Sequence, residues 1–280
     1  MKRHSVSVTE TGTLFSALRR ALPLLPEFSL REALKKRDIL LNGQRLSANV
    51  QVKQGDQVVL YTPYDEMEMP IVYEDGRCLI VNKPAGINSD DNARGALSLI
   101  SWAADRSHGQ YVPQLCHRLD NRTSGLVMIA KDQEAFDSIK EAIVSRELIK
   151  VYECLVAGNP KPPEHTDTAW LLKDAKMARV HVSKTFHEGA KKIVTQYRVL
   201  QPGAVSRLEV TLHTGRTHQI RAHLAYLGYP VLGDDVYGNR EANRAVKMPG
   251  LMLCAARLAF KNLDGLPGLS GKQFSIDPPF

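Results

Sequence analysis

Residues 116–131 read CHRLDNRTSGLVMIAK. Polar side chains crowd the first half, at His117, Arg118, Asp120, Arg122, Thr123 and Ser124. An unbroken apolar run then follows from Gly125 to Ala130, the length and composition of a buried strand. A polar loop that leads into a buried strand suits reactive groups, because the scaffold holds the loop still. On the far side, residues 133–146 carry Phe136, Ile139 and Ile143 on one helical face, and residues 149–156 predict another strand. Upstream, residues 78–81 predict a buried strand and residues 96–105 a helix. Downstream, residues 207–213 alternate, with Leu208, Val210 and Leu212 inward and Glu209 and Thr211 outward. Hairpin-like spacing with few regular strand–helix–strand units predicts an α+β domain: a mainly antiparallel mixed sheet, peripheral helices and a central catalytic cleft.

Composition narrows the class. The chain has 280 residues, 43% hydrophobic and 24% charged, an ordinary globular mixture. It is long enough to bury most of its unfolded surface without staples, which excludes a disordered chain, a collagen-like repeat and a disulfide-rich miniprotein. Cys78, Cys116, Cys154 and Cys254 stand far apart without a C-x-x-C pair. They predict buried, reduced thiols and argue against a zinc ribbon. Met1-Lys2-Arg3 imitates the start of a signal peptide, but Arg19 and Arg20 interrupt the first apolar stretch. No apolar run approaches the roughly 20 residues of a membrane helix. A soluble, cytoplasmic and monomeric protein is expected.

Net charge is +7, and it is unevenly spread. Residues 1–62 hold ten Lys/Arg against five Asp/Glu, whereas residues 63–280 hold 27 against 25. A basic front quarter suggests a polyanionic partner, most often nucleic acid. Within it, residues 14–22 predict a short helix with Leu14, Leu18 and Leu22 on one face, ended by Pro23 and Pro26. Ser29 with Glu32 reads as a capping box that opens a second helix over residues 30–36. Leu30, Ala33 and Leu34 share its inner face, and Arg31 and Lys35, four apart, share the other. A helix with one cationic face suits a phosphate backbone. Strands at 39–41 and 58–61 follow, with turns at Asn42-Gly43 and at residues 54–56. Residues 63–72, with Pro63 and Pro70, read as a linker between a module at 1–62 and a larger domain at 73–280.

Two resemblances arise from these residues. FSLREALKKRDILLNGQRLSANVQVKQGDQVVLYTP, residues 28–63, resembles the small S-four-like RNA-binding module shared by a ribosomal small-subunit protein and several RNA-modifying enzymes, a match that covers roughly residues 12–62. It departs at Thr13-Leu14-Phe15, where the family has Arg-Leu-Asp, and at Arg37-Asp38, which replaces a glycine. HRLDNRTSG, at 117–125, is similar to the signature of RluA-type pseudouridine synthases. NKPAG at 82–86, LIKVYECLVAG at 148–158, and TGRTHQIRAHL with GYPVLGDDVYG across 214–238 resemble that family's opening, middle and late motifs. Four motifs in family order are far more specific than any one. Ile87-Asn88-Ser89-Asp90-Asp91 departs from the small apolar residues and His-Pro usual there, in a loop expected to face substrate.

The second resemblance implies an isomerase that detaches a uracil base in RNA, turns it and rejoins it through carbon 5, with no cofactor or metal. Asp120 matches the catalytic aspartate, which attacks sugar or base or takes a sugar proton. Arg221 matches its arginine partner, so Arg221→Met should harm activity more than Arg221→Lys. Tyr152 matches a tyrosine that stacks under the base and helps at carbon 5, and Arg118 one that fills the space left by the extruded base. Lys83, Arg216 and Gln219 are candidates for RNA-backbone contact or loop support. Ribosomal RNA is the expected partner, with transfer RNA as the alternative.

Other classes fare worse. His213, His218 and His223 are five apart, not the three or four that ligands on one helix prefer. Cys116 and His117 are adjacent, so their side chains point apart and do not form a nucleophile–base pair. No G-x-x-x-x-G-K-[ST] or G-x-G-x-x-G phosphate loop occurs. A non-catalytic RNA-binding or ribosome-assembly factor is the remaining alternative, and the intact Asp120, Tyr152 and Arg221 argue against it.

Overall fold

In the computed structural model of the chain, the described residues are 1–22, 24–25, 27–63, 69–90, 98–174, 177–246, 250–261, 263 and 265–280. Pro23, Pro26, Asp91 and residues 64–68 of the expected linker lie outside them. The chain divides into two compact units, Met1–Met69 with Gly86–Ala103, and Pro70–Ala85 with Ala104–Phe280.

The first unit contains β1 (Lys2–Ser7), β2 (Gly12–Thr13), α1 (Leu14–Ala21), α2 (Glu27–Lys35), β3 (Ile39–Leu41), β4 (Gln44–Arg45), β5 (Gln51–Val52) and β6 (Gln57–Thr62). β1, β6, β3 and β4 form an antiparallel sheet in that order, and β2 pairs with β5. Thr13 caps α1 by accepting a hydrogen bond from the Ser16 amide at 3.2 Å. Asn42 and Gly43 have φ of 50° and 85°, as a two-residue turn of the primed type requires between β3 and β4. Leu14, Leu18, Leu30, Ile39, Val52 and Leu60 make the core. The second helix departs from expectation. It starts at Glu27, so Ser29 lies inside it and not at its start. Ser29 is buried one turn before Ala33, beside Leu30. Packing of that face carries the helix back past the capping signal. Arg31 and Lys35 are exposed on the opposite face.

The chain continues with β7 (Ile71–Glu74), β8 (Cys78–Lys83), α3 (Leu99–Ser107), β9 (Gln114–Leu115), β10 (Ser124–Ala130), α4 (Gln133–Val144), β11 (Leu148–Ala157), β12 (Glu164–Asp174) and β13 (Arg179–Ser183). β14 (Lys191–Gln201), β15 (Val205–Leu212), α5 (Gln219–Tyr226), α6 (Arg240–Val246), β16 (Leu253–Phe260) and β17 (Gln273–Ser275) complete it. Among the described residues, eleven strands form one sheet along the path β13-β12-β14-β15-β11-β16-β10-β8-β7, with β17 on β16 and β9 on β10. Every pairing in it is antiparallel except β10 with β16. The mixed, mainly antiparallel α+β architecture expected from the sequence is the one observed.

Two local features set up the site. β11 slips register against β16 between Val151 and Glu153, and this bulge lets the adjacent Val151 and Tyr152 both be buried. Gly125 has φ of 119°, and a β-carbon there would lie 2.5 Å from the backbone of Ala255. Only glycine allows β10 and β16 to approach this closely in parallel. α4 is capped by Asp132, which accepts from the Ala135 amide at 2.7 Å. Its buried stripe is Ala135, Ile139 and Ala142, with Phe136 and Ile143 flanking. The small alanines seat the helix against the sheet, which turns it slightly from the expected face. All four cysteines are free and buried, and burial pushes the thiols of Cys78 and Cys116 up to about 12. No described helix is long and apolar enough to cross a membrane.

Candidate active site

The loop before β10 closes in a tight turn, with the Thr123 amide donating to the Asp120 carbonyl at 3.1 Å. Two side chains fasten this turn from outside it. Arg122 reaches the 230–238 loop, where it donates to the Gly233 carbonyl at 3.0 Å and pairs with Asp235. Lys83, at the end of β8, donates to the carbonyls of Pro84 at 2.9 Å and Asn121 at 3.4 Å. Lys83 is fully buried. Burial pulls its ammonium down to about 7, against the opposing pull of the Asp120 carboxylate. Its hydrogen bonds make it a strut beneath the turn.

Asp120 stands half-buried on this turn and faces α5. Arg221 Nη1 is 3.3 Å from Asp120 Oδ2, and His218 Nε2 is 3.8 Å from the same oxygen. The other edge of the Arg221 guanidinium is clamped by Asp234, with Nε to Oδ2 at 2.7 Å and Nη2 to Oδ1 at 3.0 Å. Burial alone would raise the Asp234 carboxyl. The Arg221 bonds and the amides of Tyr237 and Val236 outweigh it and hold the group below the usual carboxylate range. Burial likewise works against charge on Arg221, but its two carboxylates raise its pKa. The guanidinium also lies 5.4 Å over the ring of Tyr237. Arg221 is thus a rigid bridge between a structural carboxylate and an accessible one.

α5 is buried on nearly every side from Gln219 to Leu224. Gln219 uses its whole amide internally. Its Oε1 accepts from Thr214 at 2.9 Å and from the Arg216 amide at 3.0 Å, and its Nε2 donates to the Val194 carbonyl and to Thr195. These bonds support the loop that leads into α5. The three histidines go to separate partners. His213 meets Gln196, His218 meets Tyr237, and His223 lies between Thr195 and Asp167, each at 2.8 Å. Among the described residues no three His, Cys, Asp or Glu are grouped to hold a metal ion. His117 accepts at Nε2 from the Met128 amide at 3.3 Å, which ties the loop to β10.

Tyr152 projects from the β11 bulge and is buried. Burial, with the nearby Asp120 charge, pushes its hydroxyl well above the ordinary tyrosine value, so it stays protonated at neutral pH. Arg118 and Arg216 are exposed on the loops that frame Asp120 and lead into α5. Asp120, Tyr152, Arg221, Arg118 and Arg216, scattered over a hundred residues of sequence, thus belong to one unit of the fold.

Residues 77–226 match the family model described as RNA pseudouridylate synthase. The chain belongs to the RNA pseudouridine synthase family. A Bacillus subtilis relative described as an uncharacterized RNA pseudouridine synthase, YlyB, is 32% identical over 82% of this chain and 80% of its own. A Rickettsia felis relative named ribosomal large subunit pseudouridine synthase C is 28% identical over 84% of this chain and 85% of its own. The solved human RNA pseudouridylate synthase domain containing 1 superposes with a TM-score of 0.63 at 27% identity, covering 79% of this chain and 87% of that one. Pseudouridine synthases are isomerases, and RNA is the substrate of the family. Sequence reading of this pseudouridine synthase missed Asp234, Tyr237 and His218 as parts of the site. Asp234 and Tyr237 lie inside the GYPVLGDDVYG stretch and His218 inside TGRTHQIRAHL, so both motifs were visible while the contacts between them were not.

Proposed function

We propose that this enzyme isomerises uridine in large-subunit ribosomal RNA, with Asp120 as its catalytic carboxylate. The observation that carries this reading is the Asp120–Arg221–Asp234 chain, which presents one half-exposed carboxylate on a fixed turn. Arg221 and His218 both meet Oδ2 of Asp120, and we assign Oδ1 to the nucleoside. The N1–C1′ bond breaks, the base turns, C1′ bonds to C5, a proton leaves C5 and N1 gains one. The composition of the nucleoside is unchanged, so no redox partner is consumed. Tyr152 supplies an apolar face beneath the base and a neutral hydroxyl. Extruding a stacked base costs a few kcal/mol, and Arg118 fills the vacated space with a planar guanidinium.

The ribosomal target follows from the Rickettsia felis relative's name and from the basic front residues. Residues 1–62 act as an S-four-like RNA-binding module through Arg31 and Lys35 on α2, residues 63–72 as linker, and residues 73–280 as the catalytic domain. Arg216 adds a phosphate contact beside the site, while Lys83 and Gln219 support it from within. Every residue invoked comes from one chain, so a monomer suffices.

The test is release of label from carbon 5 of uridine in unmodified large-subunit ribosomal RNA and, separately, in a transfer RNA pool. Release from ribosomal RNA that vanishes in Asp120→Asn, with RNA binding retained, is the expected result. Release from transfer RNA alone would move the target. Binding without release from either would leave an RNA-binding factor.

A further inference from the structure

His218 occupies a costly position. Its φ is +55°, a left-handed conformation that costs a non-glycine residue energy. It is the N-cap of α5, yet its side chain makes no capping bond. Neither cost is offset within the helix. The ring instead packs edge-on against Tyr237 at 5.6 Å between centroids, with Nδ1 3.0 Å from the Tyr237 hydroxyl. The side chain is 19% exposed, and Nε2 points to Asp120 Oδ2 at 3.8 Å.

The proton positions follow from donor counting. The Val180 amide donates to the Tyr237 hydroxyl oxygen at 2.8 Å. That oxygen accepts there with one lone pair, and of the two arrangements left to it, the one that sends its own hydrogen to Nδ1 of His218 leaves no hydroxyl hydrogen unused. Nδ1 is then an acceptor, and the ring proton sits on Nε2, facing Asp120. The carboxylate selects the same form, because an Nε2 lone pair aimed at it would be repelled. Burial, the largest influence, lowers the pKa of His218, with Arg221 acting the same way against Asp120, Asp234 and Asp235. The ring is therefore neutral at pH 7 and its tautomer matters.

The geometry points to His218 and Tyr237 as positioning residues that lock a neutral Nε2–H imidazole onto Oδ2 of Asp120 and so turn Oδ1 toward the nucleoside. This rests on Asp120 being the catalytic carboxylate. Arg221 holds that carboxylate from one side, and His218 fixes its rotation about χ2 from another. A relay of Val180, Tyr237 and His218 thus connects β13 to the reacting group. Besides meeting His218, the Tyr237 hydroxyl accepts from the Val180 amide, while its ring would stay under Arg221 as phenylalanine.

The test has two arms. Long-range nitrogen–proton NMR spectra of the 15N-histidine-labelled full chain, with the His218 signals assigned through their loss in His218→Gln, report the tautomer without any substrate. The Nε2–H form is expected in wild type and a mixture in Tyr237→Phe. The Nδ1–H form or a charged ring in wild type at pH 7.5 would overturn the proposal. In single-turnover label release, Tyr237→Phe and His218→Ala should slow the chemical step about 10-fold, the loss of one N–H dipole aimed at a charged group from 3.8 Å, with RNA affinity unchanged. His218→Gln, whose amide can donate from a similar place, should recover much of the rate. Wild-type rates in Tyr237→Phe, or equal rates in the Gln and Ala variants, would refute the positioning role. Absence of release in wild type would count against the chosen RNA target, and the NMR arm would still decide the lock.

Discussion

A single guanidinium does two jobs at Arg221, and they separate by mutation. Its Nε edge neutralises a fully buried Asp234, and its Nη1 meets Asp120. Lysine has one nitrogen and can serve one of these carboxylates at a time. Arg221→Lys should therefore fold but turn over slowly, and Arg221→Met should in addition leave Asp234 charged and alone, at a cost of about 3–5 kcal/mol. Thermal melts beside label release will check this order, and equal stability in the two variants would show that Asp234 does not depend on the cation. Tyr152→Phe is the cleaner probe of chemistry. It keeps the buried ring and should keep RNA affinity while turnover falls. Undiminished turnover would remove the hydroxyl from the reaction.

At the scale of elements, the site depends on two strands touching. β10 and β16 run parallel only at Ser124 and Gly125, against Cys254 and Ala255. Gly125→Ala would place a methyl group 2.5 Å from the Ala255 backbone, which cannot yield as a flexible side chain would. A loss of roughly 1–3 kcal/mol is expected, together with lower activity, since Asp120 sits on the turn that enters β10. Denaturant unfolding measures the first, and a wild-type midpoint would show that the strands separate freely. α5 is held in the same uncompromising way. His223 joins Thr195 of β14 to Asp167 of β12, and Ala222 packs on Ile193. Strand alternation and helical periodicity made these elements legible. Their edges were not always so, because the start of α2 was decided by burial of Ser29 and the face of α4 by the small size of Ala135 and Ala142.

For the whole molecule, a half-buried histidine, His117, contributes to the acid limit. Burial, with Lys150 and Lys140 nearby, pulls His117 down to about 3, whereas the unfolded chain takes up a proton near about 6.5. The folded state binds fewer protons between those values. This stabilising contribution is complete above about pH 6.5 and is lost progressively as pH falls toward 3. The melting temperature should drop between pH 7.5 and 5, and less steeply in His117→Asn, whose amide oxygen can still accept from Met128. A flat profile in wild type would show that the ring is not held neutral. Local sequence determined a good deal about this protein: the strand-rich α+β class, from alternation and turn residues; the basic front residues, from charge; and Asp120, Tyr152 and Arg221, from motifs whose residue types the chemistry demands. What only the tertiary structure decided is which partners those groups meet. Lys83, open in sequence to RNA-backbone contact or loop support, lies buried and bonds the carbonyls of Pro84 and Asn121. Gln219 and Arg122 brace loops, and His218 faces Asp120 98 residues away in sequence. Periodicity and motif are properties of neighbours along the chain. A proton's position on an imidazole, or an ammonium's pKa, depends on neighbours in space, and those exist only once the strands have paired.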